Sequence, residues 1–301
     1  MTSSNKSILE TAINLAKSNN SEPISTGSYT VHKVFIDNTP YILKSYGDVV
    51  INSKKQRKIL SLLEKEVGGI KYRASYHKLS GVPRKVMELE SKVLNNWERE
   101  GIHAPRVIAS NGTNDLLLDY INGENLKDRI HNLGYTRSLR DDLLGSINKI
   151  RLKAFEKRDP YMLHNDMWVS NFMVNGSDKT VPIDPGLLFK PGIGFEKLDA
   201  HVNLFFCYSL LSEYFGFSNG TKDSNYDLLA NFITSLDEPT LQRMKEANIP
   251  ANRLELAYLS GTSYLGFNKK YNGFVQSFKP ENCSLIENKI IETLEDKSSY
   301  S

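Results

Sequence analysis

Apolar and polar positions along the 301-residue chain change their period twice. Ser7-Ile8-Leu9-Glu10 has the form of a capping box, which predicts a short amphipathic helix running to about Ser18. Residues 29–36 (YTVHKVFI) then alternate and are rich in β-branched side chains, the signature of a strand. Asp37-Asn38-Thr39-Pro40 is a turn signal, and Tyr41-Ile42-Leu43-Lys44 reads as the returning strand. From Arg84 to Glu100 the spacing becomes helical, with Val86, Leu89, Val93, Leu94 and Trp97 on one side. Arg106-Val107-Ile108-Ala109, the turn at Asn111-Gly112 and Leu116 to Ile121 form a second β-rich stretch.

After Gly123 the pattern is mostly helical. The exceptions are an opening loop and two short apolar runs, 171–174 and 181–183, on either side of Asn175-Gly176. Helices are predicted from Leu198 to Tyr214 and over 225–236, 239–247, 251–267 and 280–294. The expected fold class is α+β with two lobes: a β-rich N-terminal part, residues 1–121, and a larger helical part, residues 122–301. The cleft between two such lobes is a natural small-molecule site.

Composition narrows the class without naming a function. The chain is 40% hydrophobic and 24% charged, as expected of a globular protein with a sizeable core. No stretch stays apolar for the ~20 residues that span a bilayer, and the N-terminus lacks a signal-type apolar run. Cys207 and Cys283 match no metal or redox spacing, so a cytoplasmic protein without a membrane span is expected. The net charge is +3, yet residues 54–92 hold eleven Lys or Arg against four Glu. That basic segment overlaps a long insertion, residues 45–85, and suits an anionic partner or a solvated helical face. It carries no recognised nucleic-acid motif.

Candidate chemistry centres on residues 163–171, LHNDMWVSN. A lone H-x-D-x-x-x-x-N match is weak. It gains weight where other parts of a phosphoryl-transfer site appear in order: a cation for the phosphates, metal ligands, and a carboxylate for the attacking hydroxyl. Lys44 ends a strand that follows the small-residue turn Ile24-Ser25-Thr26-Gly27-Ser28-Tyr29. Glu90, with Glu88 as competitor, lies on the next helix. Ile183-Asp184-Pro185-Gly186 puts an acid on a turn thirteen residues after Asn171, and an intervening hairpin would bring Asn171 and Asp184 side by side.

This ordered set resembles the protein-kinase-like superfamily, over about Ile24 to Leu211. The resemblance implies a bilobal kinase-like fold, with ATP and Mg²⁺ as cofactors. It assigns Lys44 to the α/β-phosphates with Glu90 as its partner, and Asp166 as catalytic base or hydroxyl-orienting carboxylate. Asn171 and Asp184 become the metal ligands, within the catalytic loop 163–171 and the turn 183–186. Gly27 and Ser28 would cover the phosphates, and Leu118 to Ile121, including Asp119 and Ile121, would be the hinge that reads adenine through its backbone. Asp199 would brace the catalytic loop, and His164 would be a structural, hydrogen-bonding residue of it.

The branch is mixed. Lys71-Tyr72-Arg73, Leu79 and Arg84 ahead of Glu90 resemble RIO-type kinases and the small kinases of the tRNA-modification complex. Asp166-Met167-Trp168 with Asn171, and Ile183-Asp184-Pro185, are similar to fructosamine kinases and aminoglycoside phosphotransferases. The compact lobe and long basic stretch also resemble lipopolysaccharide-core sugar kinases. The expected function is phosphoryl transfer to a hydroxyl acceptor, a sugar or other small molecule. An atypical Ser/Thr protein kinase is the alternative. The single glycine of the phosphate loop leaves a further one, a pseudokinase acting as a binding module.

Overall fold

The computed structural model describes residues 3–18, 20–26, 30–46, 82–134, 136–164, 167–185 and 222–247, with isolated residues between 195 and 210 and at 288, 291 and 292. Within these the chain is α+β, with two small antiparallel sheets and helices around them. Residues 47–81 of the basic insertion, the predicted helix over 251–267 and Cys283 lie outside the described residues.

Helix α1 (Ser3–Lys17) is followed by strands β1 (Glu22–Thr26), β2 (Thr30–Ile36) and β3 (Thr39–Ser45). The capping-box expectation at Ser7 is corrected. The helix starts a turn earlier, where the Asn5 side-chain amide donates to the Ile108 carbonyl at 3.0 Å and pins the first turn to the sheet. Part of the expected small-residue turn is also strand, because residues 24–26 belong to β1 and pair with β2. Gly27, Ser28 and Tyr29 lie outside the described residues. The β2–β3 turn is as expected, and its two residues, Asp37 and Asn38, take φ of 50° and 61°. Asp and Asn tolerate that left-handed region, which a two-residue hairpin turn requires.

Helix α2 (Val82–Arg99) comes next, followed by β4 (Val107–Ser110) and β5 (Asp115–Asp119). The sheet order is β1-β2-β3-β5-β4. Alternation sends its side chains to two different cores. Val34, Leu43, Ala109 and Leu117 pack with Leu9 and Ala12 of α1. Tyr46, just past β3, and the intervening β5 positions Leu116 and Leu118 join the main core instead, with Met87, Leu94 and Trp97 of α2. Lys44 has the same parity as Tyr46, so it points to the α2 side.

Strand β6 (Glu124–Asn125), helices α3 (Leu126–Leu133) and α4 (Arg137–Lys157), strands β7 (Phe172–Val174) and β8 (Thr180–Pro182), and helices α5 (Lys222–Ser235) and α6 (Glu238–Ala247) complete the described elements. The order β6-β7-β8 makes the second sheet. Gly123 precedes it because a Cβ there would sit 2.3 Å from the Val174 carbonyl oxygen. The expected hairpin around Asn175-Gly176 is present, with Phe172 opposite Pro182 and Val174 opposite Thr180. Trp97, Phe172, Phe206 and Phe232 are the largest fully buried side chains among the described residues, and burying a phenylalanine fully stabilises by about 1.5–3 kcal/mol. Among the described residues no helix is long and apolar enough to cross a membrane.

Candidate functional site

Three stretches of chain converge on Lys44. Its ammonium lies 2.6 Å from Oε1 of Glu90 and 3.6 Å from Oδ1 of Asp184. Lys44 is 7% exposed and Glu90 2%. A lysine and a glutamate are rarely buried this deeply unless paired. Glu88 is not the partner, since it is exposed and bonded to Arg84 at 2.8 Å. The choice follows from helical spacing: Met87, Glu90, Leu94 and Trp97 form one buried stripe of α2, and Glu88 lies off it.

Glu90 is doubly held. Its second oxygen, Oε2, accepts a short hydrogen bond from the Tyr46 hydroxyl. Burial pushes the Glu90 carboxyl above the ordinary carboxylate range, and the nearby Asp184 charge adds to this. Lys44 and Tyr46 act in the opposite direction.

The β7–β8 hairpin sets Asn171 beside the Asp184 turn. A short 3₁₀ turn (Val169–Asn171) leads into β7, and the Ile183 amide donates to the Asn171 carbonyl at 2.8 Å. Asn125, the N-cap of α3, anchors that turn from the side: its amide nitrogen donates to the Ser170 carbonyl at 2.6 Å. Nothing in the sequence pattern singled out Asn125. Asp184 has a φ of 49°, a left-handed conformation that a non-glycine residue rarely adopts. It precedes a proline, which itself favours extended backbone, so this is a strained position of the kind that clusters at functional sites.

Asn165 and Asp166 lie outside the described residues, so the catalytic-base assignment is carried by sequence alone. The flanks are fixed. Asp159 caps a 3₁₀ turn (Pro160–Met162), Asn96 of α2 donates to Asp159 at 3.2 Å, and the Trp97 indole donates to the Met162 carbonyl at 2.7 Å. His164 differs from the hydrogen-bonded residue expected. It is fully buried, and neither ring nitrogen has a hydrogen-bond partner among the described residues. The main chains of Asn171 and Ile183 lie close enough to favour a charged ring, but without hydrogen-bond geometry. The ring stacks on Phe172 with centroids 5.2 Å apart and tilts against Trp97 at 5.5 Å. Burial lowers its pKa to about 4, leaving a neutral ring at pH 7.

Two other assigned positions have defined neighbours. Asp119 and Ile121 lie at and just past the end of β5, where the chain leaves the sheet, consistent with a connector. The Asp119 carboxylate is engaged by the Arg106 amide at 2.5 Å and the Arg106 guanidinium at 2.9 Å, a side-chain pairing that leaves the expected backbone role untouched. Asp199 is held by Arg151 of α4 through two 2.9 Å bonds and by Asn203 at 3.1 Å. Among the described residues these contacts tie it to α4, while Asn165 and Asp166 of the loop it was expected to brace lie outside them. A groove of about 740 Å³ beside Asp142, Lys149 and Lys179 shares none of the convergent residues.

Among the described residues no three acidic, His or Cys side chains cluster as a self-sufficient metal cage. One Asp and one Asn suit Mg²⁺, which usually keeps several waters and is bound through one or two carboxylates plus substrate phosphates. The arrangement can hold a phosphate-bound cation beside a buried ammonium. Comparison of the sequence with protein-family models and with curated proteins matches nothing in either set.

Proposed function

We propose that the chain is an ATP- and Mg²⁺-dependent phosphotransferase of protein-kinase-like fold. It moves the γ-phosphate to a hydroxyl acceptor, a sugar or other small molecule. One observation carries this reading: Lys44, Glu90 and Asp184, drawn from separate stretches, meet around one ammonium within 3.6 Å. A scaffold has no physical need to bury a lysine between two carboxylates, because a buried ion pair is weak evidence for stability. Phosphoryl transfer does need it, since that chemistry runs on positioning and charge.

In this reading the Lys44 ammonium binds the α/β-phosphates, and Glu90 fixes where that ammonium sits. Asp184 and Asn171 hold the metal, which neutralises charge on the phosphate oxygens when bound. Asp166 accepts the proton of the acceptor hydroxyl. The neutral, stacked His164 is part of the wall behind the loop and moves no proton.

The test is incubation with γ-labelled Mg·ATP, alone and with cell extract. The expected result is label on a small molecule that disappears with Asp166→Ala. Label on another protein favours the atypical Ser/Thr kinase. No label, with no thermal shift on adding Mg·ATP, overturns the reading.

A further inference from the structure

We infer that Tyr46 is a positioning residue for the Lys44–Glu90 pair: its hydroxyl fixes Oε2 of Glu90, so that only Oε1 faces the ammonium. The inference rests on the proposed phosphotransferase reading for its consequence, but not for its geometry.

The geometry comes from strand parity. Lys44, near the end of β3, and Tyr46, just past it, are two residues apart and point to the same side, toward α2. Glu90 enters that side from the helix. Its two oxygens meet different donors, Lys44 on Oε1 at 2.6 Å and Tyr46 on Oε2. Tyr46 is itself fixed. It is 2% exposed, it packs in the main core with Met87, and its amide donates to the Asn114 carbonyl at 2.7 Å.

A carboxylate bonded to a single lysine can rotate about its last torsion, because that torsion is broad. Either oxygen can then meet the ammonium, and the ammonium moves with it. A second donor from a rigid ring removes that freedom. The phenol also serves a carboxylate that has lost its water, where an unmet acceptor is costly. The result is an ammonium held at one point, 3.6 Å from Asp184. For phosphoryl transfer, where misplacement of a charge by about 1 Å can cost ~100-fold in rate, such fixing has a direct consequence.

The decisive experiment is a double-mutant cycle with Tyr46→Phe and Glu90→Gln. Tyr46→Phe keeps the ring and its packing and removes only the donor. Two readouts are taken on folded protein, verified by thermal melting. The first is the rate at which an amine-reactive sulfonate labels Lys44, measured by peptide mass spectrometry. Labelling should rise several-fold in Tyr46→Phe and more in Glu90→Gln, with little added by combining them. The second is Mg·ATP affinity by calorimetry, which should fall about 10-fold in Tyr46→Phe, the order expected for losing a hydrogen bond to a charged group. Additive labelling effects, or wild-type labelling in Tyr46→Phe, overturn the inference. If wild-type protein binds no Mg·ATP, the phosphotransferase reading fails, while the labelling cycle still decides whether Tyr46 positions the pair.

Discussion

Arg151 grips both carboxylate oxygens of Asp199, each at 2.9 Å, with the arginine 6% and the aspartate 0% exposed. Arg151 also reaches the Thr240 hydroxyl at 3.2 Å, so the pair ties α4 to the start of α6. Bidentate pairing supplies the fixed fork that a carboxylate needs when water is absent. Arg151→Met leaves Asp199 charged and without its counter-ion, and should lower stability by about 3–5 kcal/mol in denaturant unfolding. Arg151→Met with Asp199→Leu should recover part of that loss, because the uncompensated charge is then gone. Equal losses in the single and double variants would contradict the account.

The proposed metal ligands make a separate prediction. Asp184→Ala should abolish the Mg²⁺-dependent part of nucleotide binding, seen as a missing thermal shift on adding Mg·ATP. Asp166→Ala should retain that shift and lose turnover, since its proposed role is toward the acceptor hydroxyl. A wild-type shift in Asp184→Ala would remove Asp184 from the metal site.

Much of the site was legible from the chain, for reasons that can be named. Lys44 could be placed because strand alternation and the Asp37-Asn38 turn fix its parity. Asn171 and Asp184 could be paired because Asn175-Gly176 marks a hairpin turn between two apolar runs. Glu90 was distinguishable from Glu88 in principle, since it shares the 87-90-94-97 stripe, but a charged residue on an apolar stripe looks like an interruption until its partner is known. Other features left no local signal. Strand β1 is short and carries Ser25 and Thr26, so its pairing depends on β2 alone. The Asn5 bond that starts α1 spans 103 residues. The partner of Asp199 and the backbone twist at Asp184 are likewise set by tertiary packing, which no local pattern encodes.

His164 gives a pH prediction with a definite sign. Its pKa is about 4 when folded, against 6.5 for an ordinary histidine. The unfolded chain therefore binds more protons between those values, and stability falls as pH falls. The contribution is fully present above about pH 6.5 and is lost toward pH 4, a change of about 3 kcal/mol. His164→Leu should flatten the pH dependence of unfolding across that window relative to wild type. If both proteins lose stability with the same slope between pH 6.5 and 4, His164 is not the group that titrates.

Gly123 offers a test of how the second sheet positions the site. A side chain at 123 would drive its Cβ to 2.3 Å from the Val174 carbonyl oxygen and 2.9 Å from the carbonyl carbon, both backbone atoms. Neither can rotate away, so Gly123→Ala must separate residue 123 from β7. Overpacking of this kind costs about 1–3 kcal/mol. The displacement falls on the hairpin whose other end carries Asn171, through Phe172 opposite Pro182 and the Ile183–Asn171 backbone bond. Gly123→Ala should therefore lower the melting temperature and weaken Mg·ATP binding together. Gly145→Ala on α4, where an added Cβ meets nothing within 4 Å, should do neither. A Gly123→Ala protein with lowered stability and wild-type Mg·ATP affinity would show that the hairpin absorbs the shift before it reaches Asn171.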